Sequence, residues 1–387
     1  MGVSQGRARM LIQGIARGRE LVQSQRSGRR RMIQCCEKLD ATLMREVAQY
    51  LDQVPAATGV CGEHDPRWLH VLAQGLRHRP YALLARSAQG TLQGYLPLAF
   101  VGTRLFGRFL VSLPYLNRAG VVAGDAATAG ELVDQACDLA GRLNAQYLEL
   151  RHQAPLTSPR FNASRDEKVR MVLELPADAE ALWKSFDAKV RNQIRKGDKH
   201  HLSIRWGGRE LLPAFYDVFA QNMRDLGTPV YAPGLFHAIL EHLPDRAELA
   251  VVDCTGQPVA AALLIHDPPT AGGVPSATQV PSASSLRQFN QTNANMWMYH
   301  QLLLRALGRG SREFDFGRSS VDSGTYKFKK QWGALPHPTV WQYHVRRGDI
   351  GAVRPDNPKY QRRIEVWKRL PLWLTRLVGP SIVRGIP

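Results

Sequence analysis

The 387-residue sequence contains no C-x-x-C pair, and its five cysteines lack the spacing of a disulfide framework or a zinc site. A reducing compartment therefore fits best. No stretch reaches the roughly 20 apolar residues that span a bilayer, because the most apolar tail, 370–378, contains Pro371 and Arg376. The basic N-terminus lacks the apolar core of a secretory signal. We expect a cytoplasmic protein, at most peripheral at the inner face of the membrane.

Several catalytic signatures are also missing. The sequence has no G-x-S-x-G elbow, no Walker A loop, no dinucleotide-binding G-x-G-x-x-G and no H-E-x-x-H motif. These absences remove the usual support for a hydrolase, a nucleoside triphosphatase or a metalloprotease. The 12 histidines are scattered, and His200-His201 lie in a predicted turn, so we expect no metal.

Positive charge is abundant, with a formal net charge of +18. Residues 1–31 hold 8 arginines against one glutamate, and residues 346–387 hold 10 lysines and arginines against 3 acids, so the ends supply 14 of these charges. Residues 1–34 show no sustained apolar face and are predicted to form a basic, disordered extension that is dispensable for folding. Residues 349–387 are predicted to form a basic C-terminal tail.

The remaining chain has the pattern of an α/β protein with two lobes. In residues 35–165, apolar spacing predicts helices at 42–51 and 66–76, an antiparallel meander from Tyr81 to Ala123, a helix at 127–143 and a strand at 147–150. In residues 166–348, it predicts a strand at 169–175, a helix from the cap residue Asp178 to Val190, a strand at 202–206, helices at 210–226 and 235–243, a hairpin around Thr255-Gly256, a helix at 295–307 and a strand at 313–316.

The order of hairpin, helix and strand recurs in both halves. The distance from the turn glycine to the late strand is 58 residues in each, from Gly90 to Leu148 and from Gly256 to Phe314. We therefore predict a duplicated fold of mixed sheets flanked by helices. A segment rich in small residues, about 268–285, is predicted to form a flexible loop, either a lid over a cleft or an inert insertion.

The densest group of reactive side chains follows the strand at 313–316. Arg318 and Ser319 emerge at its carboxyl end, where α/β sheets commonly present ligand groups. Over 324–333, lysines alternate with aromatic residues, an arrangement that sets ammonium groups beside aromatic rings and toward a phosphate or a developing oxyanion. The alternative is an amphipathic strand whose lysines are solvated. We favour a functional site.

Two weaker signals lie in the same lobe. Arg191, Arg195 and Lys199 share one helix face at i, i+4 and i+8, which suits a phosphodiester backbone, although a solvated face explains them equally well. Asn295 begins a helix whose free N–H groups suit an anion. Helix capping alone explains such residues more often than binding does.

A further signal comes from six segments: RPYALLA at 79–85, GYLPL at 94–98, FGR with LVSLPY at 106–115, LELRH at 148–152, FDFGRS at 314–319 and GTYKFKKQWG at 324–333. Together with NPK at 357–359 and WKRLP at 367–371, they resemble the FemAB family, in the branch associated with exosortase, PEP-CTERM and exopolysaccharide genes. The resemblance runs from about Leu39 to the C-terminus. It implies a tandem pair of GNAT-like lobes.

The better-known members of that family transfer an amino acid from aminoacyl-tRNA to an amine on a peptidoglycan precursor. Matched to the Phe-Lys motif of the family, Phe328 and Lys329 are implied to make the catalytic contact, in which the lysine stabilises charge in the transition state. The sequence lacks the acetyl-CoA signature Q/R-x-x-G-x-G/A before the helix at 295 and lacks a coiled-coil insertion. The donor therefore stays open between aminoacyl-tRNA and acyl-CoA, with no tightly bound cofactor.

The leading hypothesis is an N-acyltransferase that acts on an amine of a cell-envelope or exopolysaccharide precursor. The candidate catalytic residues are Lys329 as charge stabiliser, Phe328, and Tyr326 as hydrogen-bonding group or proton relay; the candidate substrate-binding or anion-binding residues are Arg318, Ser319, Lys330, Trp332, Arg191, Arg195 and Asn295. The alternative is a non-catalytic scaffold whose basic tails bind nucleic acid, possible partners including tRNA, or an anionic membrane. Trp367 and Trp373 among basic residues suit such a membrane surface.

Overall fold

The computed structural model describes residues 19–23, 31–103, 106–351 and 361–387. In chain order its strands are β1 (Arg19–Gln23), β2 (Met32–Cys36), β3 (Arg79–Arg86), β4 (Leu92–Thr103), β5 (Gly107–Val111), β6 (Val122–Ala123), β7 (Tyr147–His152), β8 (Ala163–Arg165), β9 (Lys168–Glu174), β10 (Leu202–Gly207), β11 (Ala247–Cys254), β12 (Gln257–Asp267), β13 (Ala277–Ser285), β14 (Glu313–Ser320), β15 (Leu335–Pro338) and β16 (Val340–Val345). The helices are α1 (Ala41–Gln53), α2 (Arg67–Leu76), α3 (Ala126–Arg142), α4 (Ala179–Ser185), α5 (Ala188–Asp198), α6 (Leu212–Leu226), α7 (Pro233–His242), α8 (Ala294–Gly308), α9 (Gly324–Lys330), α10 (Gln361–Arg369) and α11 (Leu372–Val383).

These strands form two mixed sheets. The first has the order β1-β2-β3-β4-β5-β7-β16-β8, with β6 paired to β4, and the second has the order β10-β11-β12-β13-β14-β9-β15. Each sheet holds one parallel pair among the described strands, β5 with β7 and β13 with β14. A parallel pair requires a crossover connection, and α3 and α8 supply it. The predicted fold of two mixed sheets flanked by helices is confirmed.

The two lobes share one core. Trp68 and Leu72 of α2 belong to the same apolar cluster as Phe215 of α6 and Phe236 of α7, together with Leu84 from the first sheet. Separate clusters lie under α3 on the first sheet and under α5 and α8 on the second. In addition, β16 follows the second lobe in sequence but pairs with β7 in the first sheet, although the predicted boundary assigns it to the second lobe. The shared core and the pairing of β16 with β7 therefore hold the two lobes together.

The N-terminal extension is shorter than predicted. Residues 32–34 belong to β2, which pairs with β3, and residues 19–23 form β1 beside it. Ile33 is buried, so this segment contributes to the core. The basic composition of the segment drew attention away from the short apolar run Met32-Ile33, which places β2 in the first sheet between β1 and β3. The rest of the predicted extension, 1–18 and 24–30, lies outside the described residues.

Two predicted features of the second lobe are wrong. The second half of the predicted loop at 268–285 is strand β13, which lies between β12 and β14. Pro281 makes this segment look unlike a strand in the sequence, yet the proline falls where β13 shifts register against β12, an irregularity of the kind that tolerates proline. The predicted helix from Asp178 to Val190 is divided at Phe186 into α4 and α5, while its cap is confirmed by the bond from the Ala181 N–H to Asp178.

The C-terminal segment is folded where it is described. Both α10 and α11 contact α6. Arg376 pairs with Asp217 at 2.7 Å, and Gly379 lies against the backbone of Val230. The predicted tail is thus a pair of helices docked on the second lobe, apart from 352–360, which lie outside the described residues. Among the described helices, none is long and apolar enough to cross a bilayer.

We predict that Gly379→Ala destabilises the protein. A Cβ at this position lies 2.9 Å from the Val230 backbone nitrogen, so α11 must shift away from the body. The expected cost is about 1–3 kcal/mol of unfolding free energy, measured by thermal or urea denaturation. Gly130→Ala in α3 is the matched control. A Cβ there meets nothing within 4 Å, and alanine is expected to stabilise the helix by up to about 1 kcal/mol. Equal effects of the two substitutions contradict the tight docking of α11.

Candidate active site

The central feature of the second sheet is a gap between its two parallel strands. β13 and β14 pair only from Ala277 opposite Glu313 to Gln279 opposite Asp315. Beyond that point β13 stays paired with β12 up to Ser285, and β14 stays paired with β9 up to Ser320. The strands therefore diverge, and the backbone groups that face the gap are left without ladder partners.

Asp315 and Gly317 shape the point of divergence. The register of β14 against β9 shifts between Asp315 and Arg318, and Gly317 adopts φ 77°, a left-handed conformation that glycine accepts without strain. The Gly317 N–H donates to Asp315 Oδ1 at 2.8 Å, which fixes the bulge. This bulge turns the Gly317 and Arg318 carbonyls toward α9.

Lys329 fills this position. Its side chain is buried, and its Nζ donates to the carbonyl oxygens of Gly317 at 3.1 Å and Arg318 at 3.0 Å. A Cβ at Gly317 lies about 4 Å from both Lys329 Nζ and the Val280 carbonyl oxygen, so the ammonium group sits where the strands separate. An ammonium has three donors, and the third has no partner among the described residues. It is available to a substrate oxygen.

Burial lowers the pKa of Lys329 to about 8, while the carboxylate of Asp315 acts in the opposite direction. Lys329 lies on a helix, since residues 324–330 form α9. The sequence had instead suggested a strip in which lysine and aromatic side chains alternate. The hydroxyl of Ser323 caps α9 by accepting from the Tyr326 N–H at 3.2 Å. A segment of seven residues is too short to distinguish the two-residue period of a strand from the 3.6-residue period of a helix. The helix leaves the side chains of Lys327 and Lys330 exposed.

Aromatic side chains pack behind Lys329. Phe328 meets Tyr299 edge-on at 5.0 Å, and Tyr299 stacks on Phe316 at 5.6 Å. Trp332 is almost completely buried among Phe186, Tyr299 and Phe328, so its indole fills the core, and its substrate role stays a prediction. Tyr326 is half-buried against the same cluster.

A cavity of about 230 Å³ opens at the N-terminus of α8. It is lined by Phe328 and Gln331 together with Gln193, Ser285, Leu286, Phe289, Asn290, Asn293, Ala294, Asn295 and Met296. The first N–H groups of a helix lack intrahelical acceptors and carry a partial positive charge. The predicted anion position at Asn295 therefore lies in a real cavity that Phe328 also reaches.

Arg318 points into the interior between the sheets. Its guanidinium carbon lies 3.5 Å from the ring centre of Trp341, which also carries the guanidinium of Arg151 at 3.9 Å. Burial, together with the charge of the neighbouring Arg151, lowers the pKa of Arg318 to about 9. The Nε of Arg318 and the hydroxyl of Ser319 are buried without a hydrogen-bond partner among the described residues. Two polar groups predicted from the sequence are thus unsatisfied beside the Lys329 site.

The other predicted residues lie apart from this centre. Arg191 donates to the Phe186 carbonyl at 2.6 Å, and Arg195 is exposed with its guanidinium 5.4 Å from the Trp183 ring centre. Gln193, which lies between them on α5, lines the cavity instead. The substrate roles of Arg191, Arg195 and the exposed Lys330 stay predictions.

Sequence reasoning missed a network of buried charges between the lobes. Arg118 lies 3.5 Å from Glu63 and 3.7 Å from Asp315, and Asp315 also pairs with Arg170 at 3.1 Å. These side chains come from distant parts of the chain and form no motif, so only their buried-charge chemistry, visible after folding, identifies them.

A second cavity of about 230 Å³ adjoins this network. Its charged lining consists of Asp52, Asp65, Asp267, Glu313, Arg118, Arg170 and Arg246. Burial raises the pKa of Asp267 to about 6, and Arg246, 3.4 Å away, opposes that shift. Asp267 also accepts from Gln279, the residue paired with Asp315 at the divergence of β13 and β14. Within the described residues, no group of three or more His, Cys, Asp or Glu side chains is arranged to hold a metal ion.

Comparison with known proteins supports the interpretation of the second lobe. Residues 184–330 match a family model described as Acetyltransferase (GNAT) domain, a span that contains β13, α8, β14 and α9. A search of curated protein sequences gives no significant match.

Solved structures resemble most of the chain. The crystal structure of FemX superposes with a TM-score of 0.59 at 14% identity and covers 83% of this chain and 98% of FemX. A conserved protein of unknown function from Bacteroides thetaiotaomicron VPI-5482 gives 0.53 at 9% identity, covering 80% and 98%. L-PGS from Bacillus licheniformis gives 0.51 at 11% identity, covering 89% and 98%. The protein is an acyltransferase with a GNAT-like fold, in a two-lobe arrangement similar to that of FemX.

Proposed function

We propose that this protein transfers an acyl or aminoacyl group to an amine on a cell-envelope or exopolysaccharide precursor. The observation that carries the proposal is the buried Lys329 ammonium group at the divergence of β13 and β14, with one N–H that has no acceptor in the described part of the chain. The envelope class of acceptor, and a place in an exosortase-associated pathway, rest on the resemblance of segments 314–319 and 324–333 to one FemAB branch.

The chemistry follows from the position of the lysine. The acceptor amine attacks the carbonyl carbon of the donor, and negative charge develops on the carbonyl oxygen. Lys329 donates a hydrogen bond to that oxygen, in a buried position where such a bond is much stronger than in water. The carbonyl re-forms as the bond to the donor breaks, at oxygen for an aminoacyl ester or at sulfur for a thioester. The amine proton leaves to a nearby base or to water.

The cavity at α8 is proposed to hold the end of the donor. Both candidate donors, aminoacyl-tRNA and acyl-CoA, carry an adenosine and phosphates, joined directly to the acyl group through the ribose in aminoacyl-tRNA and through the pantetheine arm in acyl-CoA. The α8 N-terminus suits a phosphate, and Phe289 and Phe328 in the cavity lining offer apolar and aromatic surface. The exposed Arg195 and Lys196 on the adjacent α5 supply further positive charge for a long polyanion such as tRNA.

The cavity between the lobes is proposed to receive the acceptor. Its lining holds four acids against three arginines, so it favours a cationic group such as the ammonium of an amine substrate. Asp267 connects through Gln279 to the strand position opposite Asp315, next to Gly317 and Lys329. The acceptor is therefore held at the paired end of β13 and β14, whereas the donor cavity adjoins Ser285 at the other end of β13.

We predict that Lys329→Ala lowers the rate of transfer by about 10²–10³-fold, because one oxyanion donor is lost. The full-length protein is incubated with labelled acetyl-CoA or with tRNA charged with a labelled amino acid, and with amino-sugar acceptors. Lys327→Ala is the control, since Lys327 is exposed on the same helix. Both variants are checked by thermal denaturation. Transfer that survives unchanged in Lys329→Ala contradicts the proposal, and the productive donor decides between CoA and tRNA.

The transfer rate is predicted to fall as Lys329 loses its proton, at a pH near 8. The ammonium form of Lys329 is needed, and burial lowers its pKa to about 8, so its contribution is present below that pH and is lost as the pH rises through it. Rates of the wild type and of Lys329→Arg are measured from neutral to alkaline pH. Arginine keeps its charge throughout, so the wild-type rate should fall relative to the variant above pH 8. Parallel profiles exclude this role of the lysine.

Asp267→Asn is predicted to raise the KM for the acceptor by about 10-fold or more, since a hydrogen bond to a charged group is lost, and to leave the KM for the donor unchanged. Acceptor binding by the wild type should also weaken as the pH falls through about 6, where the raised pKa of Asp267 lets it take up a proton. Asp134→Asn, at an exposed aspartate of α3, is the control. An unchanged acceptor KM removes Asp267 from the acceptor site.

A further inference from the structure

An apolar surface is concentrated on the two C-terminal helices. Seven large hydrophobic side chains are exposed in the described part of the chain, and four of them, Val366, Trp373, Leu377 and Val378, lie on α10 and α11. Trp373 is 66% and Leu377 69% exposed. A fifth, Leu226, ends α6 next to Gly227, which contacts Ile364 of α10. Isolated exposed hydrophobic residues are common, but such a gathering marks an interaction surface.

These side chains are exposed although the helices are firmly docked. Thr375 and Gly379 are buried on the inner side of α11, and Leu372 packs against the shared core. Trp373 and Leu377 are one turn apart, so they occupy a single face, which points away from the buried pair. The protein thus holds the apolar face outward on a rigid support.

Basic residues surround this face. Residues 361–387 contain six lysines and arginines against one acid, Glu365, which pairs with Lys368 at 2.6 Å. Arg362, Arg363 and Arg369 are exposed on α10. Apolar and aromatic side chains set among cations fit the headgroup region of an anionic bilayer, where basic residues near the surface are attracted to the negative lipids.

We propose that the outer face of α10 and α11 docks the protein on an anionic lipid bilayer. Trp373, Leu377 and Val378 enter the interface between headgroups and acyl chains, and the α10 arginines contact lipid phosphates. The support for both helices is α6, which also packs on β12 and β13 and whose Asn222 donates to Ser284 of β13 at 3.1 Å. Docking therefore places the strand that borders the catalytic gap one helix away from the membrane surface.

The proposal is tested by flotation of the full-length protein with vesicles of phosphatidylcholine, alone or mixed with phosphatidylglycerol. We expect flotation with the mixed vesicles that falls as salt is raised. Trp373→Ser combined with Leu377→Ser should reduce binding at least about 10-fold, given two lost apolar anchors. Leu335→Ser, at an equally exposed leucine of β15, should leave binding unchanged. Equal loss in both, or no binding by the wild type, overturns the proposal.

The contribution of the basic residues to membrane binding is tested with a second set of two double variants. Arg362→Glu with Arg363→Glu should abolish flotation, whereas Lys38→Glu with Arg45→Glu changes the net charge equally on exposed positions of the first lobe and should not. Light scattering excludes the competing occupant: a wild-type dimer that dissociates in the Trp373/Leu377 variant identifies a self-interface and overturns membrane docking. Because binding is measured without transfer, its outcome is separate from that of the proposed reaction.

Discussion

The separation of β13 from β14 is the constraint on which the rest of the site depends. Two parallel strands that stop pairing leave backbone groups exposed inside a sheet, and buried polar groups need partners. Lys329 provides part of what is missing. Its Nζ donates hydrogen bonds to the two carbonyl oxygens of the bulge, those of Gly317 and Arg318. The same gap that destabilises the sheet thus fixes a buried cation between the two strands.

Burial sets the chemistry of the cations around this gap in two different ways. Lys329 and Arg318 have no carboxylate in direct contact among the described residues, and burial lowers the pKa of both. Arg118 and Arg170 instead share Asp315, which also holds the Gly317 N–H. Unpaired buried cations are costly unless a ligand or a developing charge compensates them, so the first pair suits catalysis and binding, and the second pair suits support.

The two lobes are tied together because the chain returns to the first sheet after it has formed the second. After α9, the strand β16 crosses back into the first sheet and brings Trp341 between Arg151 and Arg318, one arginine from each lobe. The final helices then rest on α6, and Gly385 reaches Thr103 and Phe106 of the first lobe. Movement of one lobe against the other would disturb this stack, the charge network and the shared core together.

The sequence by itself determined the duplicated order of hairpin, helix and strand, since periodicity and turn glycines such as Gly256 are local properties. It also pointed to Lys329, through the density of cations and aromatics around it and through the family resemblance. It did not reveal β13, whose small residues and Pro281 resemble a loop, nor the helix that carries Lys329. The charged cavity between the lobes was decided only by the tertiary structure. Asp267, Arg118 and Arg246 gain shifted pKa values or buried ion pairs because folding removes water from residues that are far apart in the chain.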